Sequence, residues 1–234
     1  MNLHEDKDKF LEIITATSQY LAIPEDQVEK DYYVSHLLEH LVREVPSLVF
    51  KGGTSLSKCY KVIKRFSEDI DINYAVNRKP TQSEKKTFKL GIEQAILNAG
   101  LTLVNGEEIK SRRDHNNYVV QFPQFLESSG SLKKELLVET FVSIRSFPSE
   151  QKLVSSYILE FLELENENDL IQQFKLEPFH LNVQRIDRTF IDKIFAVCDY
   201  YEHKKFDRNS RHLYDLHKIF GSIEFEKEEL QLLF

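Results

Sequence analysis

The chain has 234 residues and a formal net charge of −7, which suits one large domain, or a core with a small helical part. The negative total excludes a protein that coats nucleic acid without specificity, though not a local basic groove. Hydrophobic residues make up 41% of the chain and aromatics 12%, so a sizeable core can form. Seven glycines and six prolines are too few for a disordered or β-rich chain.

In chain order, residues 5–21 place Phe10, Ile13, Ile14, Thr17 and Leu21 at helical spacing. Pro24 suits a second helix start, followed by the stripe Val34, Leu37, Leu38, Leu41 and Val42. SLVFK (47–51) reads as a short buried strand. A helix carrying Leu56, Tyr60 and Ile63 follows the glycines, and DIDINY (69–74) is the next strand. Residues 83–99 form a helix stopped at Gly100. β-like runs follow at 101–104, 117–122, 135–144 and 178–183, while 145–177 is ambiguous around a solvated acidic ELENEND. From Asp187 the pattern is helical, over 188–203, 208–220 and a tail from Glu224. The expected class is a mixed α/β core with N-terminal helices and a C-terminal helical part.

Cys59 and Cys198 lie in apolar helical patterns without metal-type spacing, which reads as two buried thiols in a reducing compartment. The opening MNLHEDKDKF is charged from its fourth residue, unlike a signal peptide, and no apolar run reaches the length of a membrane span. The expected location is the cytoplasm, with no membrane partner.

The chemistry gathers in residues 50–74. A strand, then Gly52-Gly53-Thr54-Ser55, then a helix can aim free backbone N–H groups at an anion; the plainer reading is a simple chain reversal. Lys51, just before the glycines, is a further phosphate or nucleic-acid contact. Asp69 and Asp71 stand at i and i+2 of a strand, so both carboxylates share one face. Either they lie on a solvent-facing edge, or a divalent cation offsets their repulsion. Two-metal phosphoryl chemistry commonly adds a third carboxylate. ELLVETFV offers Glu135 and Glu139, and the more apolar surroundings of Glu139 favour it.

FKGGTSLSKCYKVIKRFSEDIDI (50–72) resembles the signature of the AbiEii/AbiGii toxin family, within the DNA polymerase β-like nucleotidyltransferase superfamily. VEKDYYVSHLL (28–38) is similar to that family's N-terminal helix, and RTFIDKIFAV with RHLYDL (188–216) to its last two motifs. The resemblance implies a nucleotidyltransferase-like mixed sheet and metal-dependent transfer of a nucleoside monophosphate from an NTP, with pyrophosphate leaving. It implies that Gly53, Thr54 and Ser55 hold triphosphate, that Asp69 and Asp71 bind Mg2+ (Mn2+ as an alternative) with Glu139, that Lys193 neutralises phosphate charge, and that Asp215 is the acid of the last motif. It further implies a toxin of a bacterial type IV toxin–antitoxin or phage-defence system, a cognate antitoxin, and the tRNA 3′ end as acceptor. The chain then divides into a core, 1–185, and a helical part, 186–234, that completes the active site.

The residues themselves extend this picture. Phe190, Ile194, Val197 and Tyr201 stripe one face of the first C-terminal helix and leave Lys193 off it, as an exposed lysine. In the next helix Arg208, Arg211, His212 and Asp215 share a face, read as a wall of the nucleotide site or as a solvated ladder, with Leu213, Leu216 and Phe220 elsewhere. Tyr32 and Tyr33 read as core aromatics, and Lys30 as a further candidate to reach the nucleotide. Lys51, Lys58, Lys61, Lys64 and Arg65 form a basic cluster able to draw RNA in. The rival readings are a small-molecule (antibiotic-type) nucleotidyltransferase and a non-catalytic nucleotide-binding module.

Overall fold

The computed structural model describes residues 1–75, 78–127, 132–142, 148–205 and 209–222. Two N-terminal helices, α1 (Lys7–Leu21) and α2 (Glu25–Glu44), lead into β1 (Leu48–Lys51), the short α3 (Gly52–Lys58) and β2 (Ile70–Tyr74). Helix α4 (Gln82–Asn98) precedes β3 (Thr102–Leu103), β4 (His115–Gln121) and β5 (Leu136–Phe141). Next come β6 (Ser149–Val154), α5 (Tyr157–Leu164), α6 (Asn168–Phe174) and β7 (Phe179–Gln184). Helices α7 (Ile186–Glu202) and α8 (Asn209–Phe220) follow. Asp6 and Thr81 cap α1 and α4 by accepting the N–H three residues on, at 3.1 and 3.3 Å. Gly100 closes α4 with a φ of +70°.

The strands form one mixed sheet in the order β3-β4-β5-β2-β1-β7-β6, as expected for an α/β core. β1 runs antiparallel to β2 and parallel to β7, while β2 runs parallel to β5. Strand alternation then sorts the residues. Phe50, Ile72 and Val183 fall on one face and are fully buried in the main core with α1, α2 and α4. Lys51, Asp71 and Glu139 fall on the other face, toward α7.

Helix α2 carries three consecutive charges, Glu29, Lys30 and Asp31, and all are buried. Each pins a different segment. Glu29 accepts the Phe125 N–H at 2.7 Å, and Lys30 donates to Glu68 and, at 2.6 Å, to the Lys133 carbonyl. Asp31 accepts from Lys58 Nζ at 2.6 Å and from the Tyr157 N–H at 2.8 Å, while Ser35 Oγ takes a second Lys58 proton at 2.7 Å. Removing one partner of such a pair typically costs about 3–5 kcal/mol, because the other charge stays buried and alone.

Several elements depart from the sequence expectation. Helix α3 ends at Lys58, so Tyr60 and Ile63 reach the interior by an irregular path instead. The Tyr60 hydroxyl stands 2.9 Å from the Gln184 carbonyl and 2.8 Å from Glu150, one of which accepts its single proton, and Ile63 joins Leu56 and Ile219 in a second, small core. That small core, with Phe190 and Tyr214 packed on it, ties α7 and α8 to the sheet. The ambiguous stretch after β5 holds an edge strand, β6, and two short helices, with the acidic run exposed between them. Cys198 is exposed on α7, not buried. The buried residues of α7 are Asp187, Thr189, Ile191 and Lys193, and those of α8 are Asp215 and Ile219. Tyr201, Leu213 and Phe220, expected inside, are exposed. The polar face of these helices turns inward because it meets charges of the sheet face and of the segment after α3. Residues from Glu224 onward and Arg208 lie outside the described residues.

Candidate active site

Register alone assembles a row of functional groups. Lys51 pairs with Asp71 across β1 and β2, and Asp71 pairs with Glu139 across β2 and β5. Because paired residues point to one face, an ammonium and two carboxylates stand side by side, and Lys51 and Asp71 of this row line a cleft of about 630 Å³. Glu135 is exposed and precedes β5, so Glu139 alone joins the row. Burial pushes the Asp71 carboxyl up to about 7; Glu139 and Asp69 add to the shift, and Lys51 and Lys193 offset only part of it.

Gly52 closes against this row. Its φ is +77°, and a Cβ there would stand 1.9 Å from Asp71 Oδ2, so only glycine fits. At Gly53 a Cβ would come within 2.8 Å of the tips of Arg65 and Ser67, a milder conflict. The close approach expected of the second glycine therefore belongs mainly to the first, and its neighbour is the acid itself. Thr54 and Ser55 are fully buried. Thr54 Oγ1 donates to the Asp69 carbonyl at 2.5 Å, and Ser55 Oγ to the Gly52 carbonyl at 2.9 Å. Their hydroxyls therefore hold the turn and the start of β2 and do not project into the cleft.

Asp69, two residues before Asp71, is half-exposed and accepts from Lys133 Nζ at 3.2 Å. Among the described residues, no three His, Cys, Asp or Glu side chains gather closely enough to hold a metal ion. The donor set nonetheless fits one. Asp71 and Glu139 are register neighbours whose mutual repulsion a cation would relieve, and carboxylate oxygens suit hard divalent ions. Only Asp69 stands apart, turned to Lys133.

Helices α7 and α8 supply the opposite wall. Lys193 is 7% exposed and donates to Asp215 Oδ2 at 2.7 Å. Asp215 is fully buried, and Arg65 grips both its oxygens, at 2.8 and 2.7 Å. Burial raises the Asp215 pKa, but the Arg65 and Lys193 contacts more than reverse that, and the net shift is downward. Asp215 thus aims Lys193 and is not a free carboxylate. His212 lines the cleft, and burial, with the nearby Lys193 charge, pushes its pKa down to about 4. Arg211 is exposed and does not line the cleft.

The basic cluster read after the glycines is largely dismantled. Lys58 is buried on Asp31, Arg65 grips Asp215, and Lys61 pairs with Glu160, because acids on neighbouring elements claim them. Lys51 faces the cleft with its Nζ 5.5 Å from the Phe141 ring, and Lys64 is exposed. Lys30 is likewise committed to Glu68. Sequence reasoning missed the roles of Arg65, Lys133 and Gln184. The last of these ends a buried strand on the parity of Lys51, which is the only signal it carried.

Comparison with known proteins gives the family and the fold. A profile described as nucleotidyl transferase AbiEii toxin, type IV TA system, matches residues 36–234. Among solved structures the chain is similar to MenT4, a nucleotidyltransferase toxin from Mycobacterium tuberculosis H37Rv. The TM-score is 0.58 and the identity 21%, over 94% of this chain and 68% of that one, a likeness of fold. The comparison with curated proteins gave no match. The chain belongs to the AbiEii family of nucleotidyltransferase toxins of type IV toxin–antitoxin systems.

Proposed function

We propose that this enzyme moves a nucleoside monophosphate from an NTP to the 3′ end of tRNA, in the cytoplasm, as a toxin countered by a cognate antitoxin. The row of Lys51, Asp71 and Glu139, closed by Gly52 and faced by Lys193, is the observation that carries the reading. Asp69, Asp71 and Glu139 would hold Mg2+ or Mn2+, which supplies charge neutralisation at the transferring phosphate and activation of the attacking hydroxyl. The backbone of Gly52 to Ser55 meets the triphosphate, and the buried Thr54 and Ser55 hydroxyls keep that backbone in place. Lys51 and Lys193 set positive charge at the floor and wall of the cleft, where negative charge builds as pyrophosphate departs. Asp215 and Arg65 orient Lys193, so the helical part, 186–234, completes a site whose acids come from the core, 1–185.

An RNA acceptor is supported by a platform at the rim. His115 stacks on Phe141 with ring centroids 4.1 Å apart, Phe141 lines the cleft, and the exposed Arg112 and Arg113 lead into His115. Aromatic faces beside cations suit an unpaired RNA end. The test incubates the protein with each labelled NTP, Mg2+ and total tRNA. Label on tRNA is expected; label on a small molecule instead would favour an antibiotic-type acceptor and overturn the tRNA assignment.

A further inference from the structure

We infer that Gln184 reads the nucleoside of the NTP by accepting a hydrogen bond from one of its N–H or O–H groups. The inference rests on the NTP occupying this cleft. Gln184 is the last residue of β7. Its neighbour Val183 pairs with Phe50 on the core face, so Gln184 points with Lys51 into the cleft, which it lines beside Lys51 and Gly52.

The side chain is 1% exposed and its amide is held from one end only. Nε2 donates to Thr189 Oγ1 at 3.1 Å and to Asp192 Oδ2 at 2.9 Å, while Asp192 Oδ1 accepts from Arg188 Nε at 3.0 Å. A carboxylate only accepts, so Asp192 dictates which end of the amide is nitrogen. The other end, Oε1, is buried with no hydrogen-bond partner among the described residues. Leaving such an acceptor unpaired costs about 1–3 kcal/mol, and folded proteins keep few of them. Here three residues of α7 lock the amide of a cleft-lining residue and leave its acceptor end unmatched.

The ligand's chemistry narrows what can satisfy it. Triphosphate oxygens at neutral pH are acceptors, so they have nothing to give Oε1. The nucleoside does, through the exocyclic amine or ring N–H of a base, or a ribose hydroxyl. A site built around a buried acceptor rejects a ligand that lacks the matching donor.

The experiment measures affinity by calorimetry, with Mg2+ and non-transferable α,β-methylene analogues of the four NTPs and of their 2′-deoxy and 3′-deoxy forms. Wild type is expected to favour ligands bearing one donor by about tenfold or more. Preference among bases places the donor on the base; preference for a ribose form places it on the sugar. Gln184→Met should erase that preference by weakening the favoured ligands to the level of the others. Asp192→Ala, which keeps the amide but frees it to turn, should reduce the preference without erasing it, and it decides the matter if Gln184→Met does not fold. Wild-type binding of all forms within about threefold, or a preference that survives unchanged in the variants, overturns the inference. So does a changed Mg2+ affinity of Gln184→Met without nucleotide, which would make the oxygen a metal ligand. A folded wild type that binds no NTP overturns the nucleotide reading itself, an outcome distinct from binding without preference.

Discussion

Two charged regions of this molecule differ in outcome. On α2, Glu29, Lys30 and Asp31 are buried and every charge finds a partner, on four different segments. At the cleft, Lys51, Asp71, Glu139 and Gln184 share a face of the sheet, yet Asp71 is pushed up to about 7 and Gln184 Oε1 has no partner among the described residues. A fully satisfied polar network rigidifies a fold, whereas an unsatisfied one is tolerated where a ligand completes it. The α2 brace is the scaffold, and the cleft holds the stored electrostatic cost.

The largest effect should come from breaking the cleft. Asp71→Ala is expected to lower nucleotidyl transfer on the order of a thousandfold, since on the proposed reading it would remove a ligand of the metal that supplies several kcal/mol of charge stabilisation. Its circular dichroism should stay native, because no structural bond is lost. Breaking the brace should do the reverse. Asp31→Ala strands the Lys58 ammonium among buried groups and should cost about 3–5 kcal/mol in denaturant unfolding. Adding Lys58→Met to that variant should recover much of the loss, a rescue that a cleft residue would not show.

Smaller effects sharpen the contrast. Lys193→Ala should cut turnover about a hundredfold while Mg2+ affinity persists, measured by metal titration beside kinetics. Gly52→Ala should reduce activity by tenfold or more, since αL strain of about 1–2 kcal/mol adds to the clash with Asp71. Gly53→Ala should cost only a few-fold by the same assay, because its neighbours are side-chain tips able to shift. Arg211→Ala is expected to leave turnover within about twofold, as the side chain faces solvent.

Much of this was legible in the sequence. Period two in DIDI and ELLVETFV put Asp71 and Glu139 opposite the buried Ile72 and Val138, and the Gly-Gly turn marked where the backbone comes close. The shared face expected of Asp69 with Asp71 and of Glu135 with Glu139 does not hold, because β2 begins at Ile70, β5 begins at Leu136 and Asp69 turns to Lys133. The choice of Glu139 over Glu135 followed from apolar surroundings and agrees with the register. What the sequence hid were partners distant in the chain. Nothing local shows that Lys58 belongs to Asp31, or Arg65 to Asp215, so a buried pair reads as a basic cluster. The inward polar faces of α7 and α8 were hidden for the same reason. Helical spacing reports an apolar stripe, and here the buried stripe carries Lys193 and Asp215.

The most direct test of the central claim compares thermal unfolding of wild type and Asp71→Asn in chelator at about pH 5 and about pH 8. The Asp71 carboxyl moves from 3.8 to about 7 on folding. Between those values the folded chain holds a proton that the unfolded chain has released, and stability falls as pH rises. His4 and His36, lowered to about 4 by burial, act oppositely and lose stability as pH falls, so only the difference between the two proteins isolates Asp71. Asp71→Asn should melt at the higher temperature, by a margin that widens from the lower pH to the higher, and Mg2+ should close the gap by stabilising wild type alone. An Asp71→Asn protein that melts at or below wild type at the higher pH would contradict the reading of this row as an unsatisfied site awaiting its metal and nucleotide.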